Sequence, residues 1–409
     1  MRLLFCSYTS IGLLGPSMVV AQELQRRGHE VAFATGPSME PFLTQMNMPR
    51  IARGAKDGES FGVKLVWDGT ETVRQIRHLD YACQQFSPDM LVGQALTWSA
   101  MVMRKYTGLP LALIGQAGYF WPTSEPFPYY NTYLPAFYKR VHDRYRLGMD
   151  CYEICCKMLK LSCEDASGVS YQETPLLGDL FLLQSVPEFE GYPALLPNRV
   201  HFIGDCCWKP QHVDPELQQW LEAGAASRQP LVYVQIGRIL REQTFGQHLV
   251  EALGKLPVRV VASFGGASQT ITSVPENFFV REHVLQGQVL PYAHAVVSSG
   301  TTTSVLGALT HGLPQLIIPA NAEEPFDLAF RCLSSESGLC LNAEQATVEA
   351  LQEAIEALLH RPALTQQAVK LQRAFASLDG PCRAADLIEE LGQKRVPLLR
   401  SDSTSLFAA

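Results

Sequence analysis

The sequence has 409 residues, more than one ordinary domain needs and suited to two or three domains. Hydrophobic residues make up 47% and charged residues 18%, so the chain can bury large cores and is not intrinsically disordered. The net charge of −7 argues against a general binder of nucleic acid or anionic membranes. We therefore expect a protein that acts on small molecules and has no nucleic-acid or membrane partner. We expect it to be a monomer or a homodimer.

The 11 cysteines are odd in number and scattered, and the adjacent pairs Cys155-Cys156 and Cys206-Cys207 lack the Cys-x-x-Cys spacing of zinc or redox sites. They are predicted to be reduced thiols that pack as small hydrophobes. No segment reaches the roughly 18 uninterrupted apolar residues of a membrane span. The apolar run at 3–6 is followed at once by polar residues, which favours a buried strand over a signal peptide and predicts a cytoplasmic protein.

The first 115 residues alternate short apolar runs with helical patterns. A strand at 3–6 is followed by a predicted turn from Gly12 to Gly15 and a helix from about Pro16 to Arg27, which Gly28 ends. The same rhythm continues with strands at 31–34, 90–92 and 111–114, and with a helix near 99–106 that Gly108 ends. Strands and helices in this alternation form βαβ units with a parallel sheet.

Residues 115–165 are rich in aromatic residues and proline over 118–130. Such a stretch is either a loop that lines a ligand pocket or a packed surface loop, and both interpretations stay open. If it lines a pocket, its rings would stack on a planar ligand. The candidate ring-stacking residues are Tyr119, Phe120, Trp121, Tyr129 and Tyr130.

Residues 205–230 have a linker composition, and the βαβ rhythm resumes at Leu231. The fold predicted is therefore α/β, with two doubly wound Rossmann-like domains facing a cleft. The predicted boundaries are 1–207 for the first domain, 208–380 for the second, 381–394 for a C-terminal helix and 395–409 for a flexible tail. The elements predicted from residue 231 onward are strands at 231–236, 258–264, 295–298 and 316–319, and helices at 247–254, 304–310, 347–360, 364–377 and 383–392.

The most informative stretch runs from Val296 to Pro319, where a strand leads through a small hydroxyl-rich turn into a helix. Gly300 lets the backbone approach a ligand, and the unpaired N–H groups of the first helical turn favour an anion. Neighbouring hydroxyls add further donors, so the stretch suits a diphosphate. A capped helix without a ligand is the alternative.

In order and spacing, several motifs together resemble the nucleotide-sugar-dependent glycosyltransferases of the UDP-glycosyltransferase type, which have the two-domain GT-B fold. The motifs are Gly12–Pro16 with Arg27–Val31, residues 230–237, the turn followed by 308–314 and Pro319, and Asp379-Gly380 with 384–388. The resemblance implies a donor site formed by Gly237, Arg238, His283, Gln286, Ser299, Gly300, Thr303, Ser304, Glu323 and Glu324. It implies a nucleotide-diphosphate sugar of UDP or dTDP type as co-substrate and no cofactor.

Departures from the family pattern concern the catalytic dyad. The position of the usual general-base His is Leu13, and its orienting Asp would fall near Gln94. Both are predicted to lie on the acceptor side. Weak candidates for another base are Glu59, His78, His142, Asp143 and Asp150.

An acceptor that is already acidic or electron-rich needs a general base less than an alcohol does. Together with this preference, the resemblance implies inverting transfer to a small aromatic or acidic natural-product acceptor, by O- or C-glycosylation. The alternative is a catalytically impaired homologue that binds a nucleotide sugar or assists a partner enzyme. We expect no bound metal, because no His/Cys/Asp cluster has ligand spacing.

Overall fold

A computed structural model describes residues 1–54, 57–118, 121, 135–162, 173–191, 193–208, 213–225, 229–236, 245–265, 273–320 and 322–400. The chain divides into two compact units. Unit 1 comprises Met1–Ser185, Tyr192–Trp208 and Leu378–Ala409, and unit 2 comprises Val186–Gly191 and Lys209–Ser377. These units differ from the predicted boundaries in two places, because 186–191 belong to unit 2 and the C-terminal helix belongs to unit 1.

Within the described ranges, twelve strands form two six-stranded sheets, and every strand pair in them is parallel. The strands are β1 (Arg2–Cys6), β2 (Glu30–Ala34), β3 (Met90–Gln94), β4 (Leu111–Ile114), β5 (Leu180–Leu183), β6 (Val200–Phe202), β7 (Leu231–Gln235), β8 (Arg259–Ser263), β9 (Phe278–Arg281), β10 (Ala295–Ser298), β11 (Gln315–Ile317) and β12 (Gly338–Cys340).

The helices that the structure describes begin and end as follows: α1 (Ile11–Arg26), α2 (Glu40–Gln45), α3 (Gly69–Phe86), α4 (Trp98–Thr107), α5 (Pro135–Met158), α6 (Pro187–Glu190), α7 (Pro215–Ala225), α8 (Phe245–Gly254), α9 (Gln286–Val289), α10 (Thr302–Thr310), α11 (Glu323–Ser334), α12 (Val348–His360), α13 (Pro362–Ala376) and α14 (Gly380–Lys394). None of them is long and apolar enough to cross a bilayer.

Both sheets have the doubly wound topology. The strand order is β2-β1-β3-β4-β5-β6 in unit 1 and β12-β11-β10-β7-β8-β9 in unit 2. In each case the order reverses beside the first strand of the unit, and ligands of such sheets bind outside the carboxyl ends of the strands near that point. The α/β fold predicted from the sequence is confirmed.

The start of α1 corrects one prediction. The turn expected over Gly12 to Gly15 is wrong, because α1 begins at Ile11 and Pro16 lies inside it. The amides of Leu13 and Leu14 both donate to Ser10 O, which opens the helix. Leu14 continues the apolar stripe of α1 by one turn and is completely buried, so core packing favours the longer helix.

Two of the sequence motifs meet in unit 1, where α14 packs on α1. The Arg27 guanidinium lies 2.7 Å from Asp386 and 2.8 Å from Glu389. His29 Nε2 lies 2.7 Å from the same Glu389 carboxylate. At the start of α14, a Cβ on Gly380 would lie 2.1 Å from the backbone oxygen of Asp205, so the close approach needs glycine.

The predicted flexible tail over 395–409 is wrong for its described part. The Leu398 amide donates to Asp179 O at 2.9 Å, and the Arg400 amide donates to Asn198 O at 2.6 Å. The Leu398 side chain is buried in the core of unit 1. The segment therefore pairs its backbone with unit 1 and covers the core rather than extending into solvent.

The predicted linker over 205–230 is wrong for residues 215–225, which form α7. Leu217 and Leu221 lie four residues apart on one helix face and are buried in a core of unit 2. Trp220 packs on that core, with the Arg259 guanidinium 3.7 Å from its ring centroid. The cysteines that the structure describes are all free thiols.

Leu398→Ala is expected to lower the free energy of unfolding of the protein by about 2–4 kcal/mol, because it empties a buried site. Leu399→Ala is the matched control, since the Leu399 side chain is 65% exposed and should change stability by about 0.5 kcal/mol or less. Urea denaturation of both variants measures the difference. Equal stabilities would contradict the packing of this segment.

Candidate functional site

The predicted phosphate turn connects β10 to α10 in unit 2. Gly300 has a φ of +81°, and a Cβ there would lie 2.8 Å from Ile317 Cγ2 and 3.0 Å from Pro325 O. Any side chain would therefore be strained and would clash with backbone. Gly300 is required for the turn itself, so its replacement tests folding before it tests ligand binding.

The N-terminus of α10 carries the groups that an anion needs. The helix begins two residues earlier than predicted, and Val305 is the first residue whose amide bonds to Thr301 O. The amides of Thr303 and Ser304 precede that bond and point out of the helix end. The Thr301 hydroxyl lies 3.0 Å from the Ser304 hydroxyl and makes no side-chain cap on the helix.

Glu324, in the first turn of α11, contacts this helix end directly. Its Oε1 accepts from the Thr302 amide at 2.9 Å and from the Thr302 hydroxyl at 2.5 Å. Removal of the carboxyl from water raises the pKa of Glu324. The predicted donor residue thus lies beside the predicted phosphate turn, with one carboxylate oxygen already engaged. The side chain of Glu323 lies outside the described residues.

Buried charges anchor α11. Arg331 is completely buried, with Nη1 2.6 Å from Glu190 Oε1 of α6, and it also pairs with Asp327 one turn earlier on α11. A buried cation is tolerated only where carboxylates compensate it. This triad fixes α11 within unit 2 and thereby the position of Glu324. The triad was not predicted from the sequence, although opposite charges four residues apart on one helix, as in Asp327 and Arg331, are a recognisable signal.

Two predicted nucleotide-binding residues lie near the start of α9. His283 precedes this helix, and Gln286 is its first residue. The side-chain Nε2 of Gln286 donates to Thr303 O at 3.1 Å. The same side chain packs so closely on α10 that a Cβ on Gly307 would lie 2.9 Å from Nε2. The His283 side chain is exposed, 3.7 Å from Glu282. The structure therefore brings Gln286 to the phosphate turn.

The predicted acceptor-side positions lie in unit 1. Leu13 lies in the first turn of α1 and is half-buried, and Gln94 is the last residue of β3 and is buried. The strand before α1 neighbours β3, so both positions share the carboxyl edge of the sheet. Trp121 is buried with its ring centroid 4.7 Å from that of Phe181, so it packs within unit 1 and exposes little ring surface.

The alternative base candidates occupy different environments. His78 is completely buried, with Nδ1 2.9 Å from Ser60 Oγ and Nε2 2.8 Å from Ile51 O, and burial lowers its pKa. Glu59 is exposed and accepts from the Ser38 amide. The remaining candidates, His142, Asp143 and Asp150, lie on α5. His142 is half-buried, and burial lowers its pKa, whereas Asp143 and Asp150 are exposed.

Several predicted residues lie outside the described residues and stay predictions. In unit 2 they are Gly237 and Arg238. In unit 1 they are Tyr119, Phe120, Tyr129 and Tyr130. Within the part of the chain that the structure describes, no group of three or more His, Cys, Asp or Glu side chains could hold a metal ion.

Known proteins share both the sequence pattern and the architecture. Residues 247–391 match the family described as Erythromycin biosynthesis protein CIII-like, C-terminal domain. The chain is 26% identical to 4'-demethylrebeccamycin synthase of Lentzea aerocolonigenes over 95% of this chain and 99% of that protein. It is 25% identical to demethyllactenocin mycarosyltransferase of Streptomyces fradiae over 93% and 84% of the two chains.

Solved structures agree with this. The glycotransferase of kitacinnamycin superposes with a TM-score of 0.73 at 22% identity, covering 95% of this chain and 98% of that one. The glycosyltransferase VinC in complex with dTDP superposes with a TM-score of 0.70 at 18% identity, covering 96% and 100%. The chain is a glycosyltransferase of the GT-B fold. The region that matches the family by sequence contains α10 and α11 of this glycosyltransferase.

Arg331→Met is expected to destabilise the glycosyltransferase by about 3–5 kcal/mol, because it leaves buried carboxylates without their cation. The matched control is Arg281→Met. Arg281 pairs with Asp214 and Glu216 at the surface with its side chain 35% exposed, so its loss should cost about 1 kcal/mol or less. Equal losses in denaturant unfolding would contradict the anchoring role of Arg331.

Glu324→Gln is expected to stabilise the protein at neutral pH relative to the wild type, and less so in acid. The folded-state pKa of Glu324 is raised, so its cost to stability is absent below the unfolded-state pKa and develops as pH rises through the folded-state value. Unfolding free energies of both proteins at about pH 5 and about pH 8 measure the change. A difference that is constant with pH would contradict it.

Proposed function

We propose that this glycosyltransferase transfers a sugar, with inversion, from a UDP- or dTDP-type donor to a small natural-product acceptor. The observation that carries the proposal is the N-terminus of α10, where outward amides and hydroxyls follow a turn that only glycine can form. The complex of VinC with dTDP supports a nucleotide diphosphate as the ligand of this fold. The relatives named above support an acceptor from antibiotic biosynthesis.

The leaving group is the nucleotide diphosphate, which gains negative charge as the bond to the anomeric carbon breaks. Amides at a helix N-terminus and the positive end of the helix dipole stabilise that charge without reorganising. Thr303 and Ser304 supply the amides, and the Thr301 hydroxyl lies at the same end of α10. We propose Glu324 as a contact for sugar hydroxyls from the adjacent α11, with its second oxygen free for that role.

The acceptor must lose a proton as it attacks, and the usual dyad positions hold Leu13 and Gln94. Neither side chain takes a proton, and both ring nitrogens of His78 are engaged in hydrogen bonds. We therefore propose an acceptor whose own reactivity replaces the base, such as a phenol with a pKa of about 10 or an electron-rich ring carbon. O- and C-glycosylation are both compatible with such an acceptor.

A second candidate function rests on the same two residues. Leu13 and Gln94 would also be found in a catalytically impaired homologue that binds a nucleotide sugar or assists a partner enzyme. Incubation with a panel of UDP- and dTDP-sugars, with phenolic acceptors present and absent, separates the two. Donor hydrolysis or transfer supports the enzyme, whereas saturable binding without turnover supports the second function.

Thr303→Asp is expected to weaken binding of UDP or dTDP at least about tenfold, because the new carboxylate repels the diphosphate at the helix end. An acid in the first turn favours the helix, so the melting temperature should not fall. Thr303→Asn, similar in size but neutral, is the control and should bind more tightly than Thr303→Asp. Calorimetric titration measures both affinities. Equal affinities would show that the diphosphate does not bind at this helix end.

Transfer by this enzyme is expected to proceed unchanged in excess EDTA, because amides and hydroxyls take the place of a metal at the leaving diphosphate. Product formation with the best donor of the panel, measured with and without the chelator, tests this. Loss of activity in EDTA that added Mg²⁺ or Mn²⁺ restores would show that transfer requires a metal ion, which would contradict the proposal.

A further inference from the structure

Glu324 places a carboxyl group at the helix end where the proposed diphosphate would bind. It lies in the first turn of α11, and its Oε1 accepts from the Thr302 amide at 2.9 Å and from the Thr302 hydroxyl at 2.5 Å. Thr302 is the first residue of α10, so the carboxyl engages one of the N–H groups that face outward at this helix end. Glu324 therefore caps α10 from a neighbouring helix.

The proposed ligand uses the groups next to this cap. The Thr303 and Ser304 amides follow Thr302 directly, and the Thr301 hydroxyl lies 3.0 Å from the Ser304 hydroxyl. Residues of an α-helix rise about 1.5 Å each, so a phosphate on these amides lies within one turn of the Glu324 carboxyl. A negatively charged carboxylate and a diphosphate at that separation repel each other.

The surroundings of Glu324 do not supply a cation of its own. The basic residue of α11, Arg331, is paired with Glu190 of α6 and with Asp327. Asp327 adds a negative charge near Glu324, and α10 contains no charged residue. Glu324 is half-buried, and the removal of its carboxyl from water is the largest cause that raises its pKa. The neutral form of Glu324 is thus easier to reach than that of a carboxyl in water.

We propose that Glu324 takes up a proton from solvent when the nucleotide diphosphate binds, so that its neutral form is present in the donor complex. Oε1 then keeps both hydrogen bonds to Thr302, since a protonated carboxyl retains its acceptor oxygen. Oε2 carries the proton and donates it to a hydrogen bond with an oxygen of the donor. This inference rests on the proposed function and adds that donor affinity depends on the protonation of one residue.

This coupling determines the sign of the pH dependence. A ligand that prefers the protonated form raises the pKa of Glu324 in the complex. Below the pKa of the free protein, the wild type and Glu324→Gln should bind the nucleotide similarly, because both then have a neutral side chain. Above it, the wild-type affinity should fall about tenfold per pH unit relative to Glu324→Gln, until the pH passes the pKa of the complex.

Calorimetric titration of both proteins with UDP and dTDP, from about pH 5 to about pH 9, tests the proposal. At the alkaline end Glu324→Gln should bind at least about tenfold more tightly than the wild type, and the difference should shrink toward acid. The terminal phosphate of the nucleotide also titrates in this range, but it affects both proteins alike. A ratio of affinities that does not change with pH, or weaker binding by Glu324→Gln at alkaline pH, would overturn the proposal.

Proton uptake is a second measurement. Titrations in buffers of different ionisation enthalpy count the protons that bind together with the nucleotide. At the pH of the largest difference, the wild type should take up about half a proton or more beyond the value for Glu324→Gln. An infrared difference spectrum should show a new carboxylic-acid C=O band only in the wild type. Equal proton uptake at every pH would contradict the assignment to Glu324.

Two further variants separate charge from other effects. Glu324→Ala also removes the charge but cannot cap α10, and it should show the same dependence of relative affinity on pH. Glu353→Gln is the matched control, because Glu353 is an exposed acid on α12 and its loss changes the net charge equally. Its nucleotide affinity should follow the wild-type pH dependence.

The same titrations distinguish failure of this inference from failure of the proposed function. If neither the wild type nor Glu324→Gln binds UDP or dTDP at any pH, the proposed function fails, and this inference fails with it. If both proteins bind a nucleotide with the same pH dependence and the same proton uptake, only the role of Glu324 as a proton acceptor fails.

Discussion

The backbone at Gly300 is the constraint on which the proposed diphosphate site of this glycosyltransferase depends. Its positive φ turns the chain from β10 into α10, and the space at its missing Cβ is filled by Ile317 and by Pro325 of α11. Because α11 packs against the turn, Glu324 reaches the Thr302 amide. One conformational requirement thus places a helix N-terminus, a cluster of hydroxyls and a carboxylate side by side.

Both units contain paired and unpaired buried polar groups. In unit 2, Arg331 is enclosed with carboxylates of α6 and α11, which compensate its charge and make the arrangement rigid. In unit 1, the side chains of Gln94, Gln116 and Gln184 each keep one buried polar atom without a hydrogen-bond partner. Paired groups stabilise the scaffold, whereas an unpaired buried group costs its desolvation free energy.

Much of the fold could be predicted because apolar runs in parallel sheets are short, continuous and bounded by glycine. β4 and β10 have the predicted bounds, and Gly108 ends α4 in the left-handed conformation as expected. The start of α1 could not be predicted from the sequence. A proline and two glycines favour a turn locally, and only the burial of Leu14 overrides this preference. Of the site, the sequence predicted the Gly300 turn. It could not predict the Glu324–Thr302 contact, which depends on how two helices pack.

The most direct test of the account is hydrogen exchange of the intact protein with and without dTDP or UDP, resolved to single amides. The account predicts that a bound nucleotide diphosphate slows exchange of the Thr303 and Ser304 amides at least about tenfold, because these N–H groups bond to the phosphates. Nucleotide binding that leaves both amides unchanged would contradict the assignment of α10 as the diphosphate site.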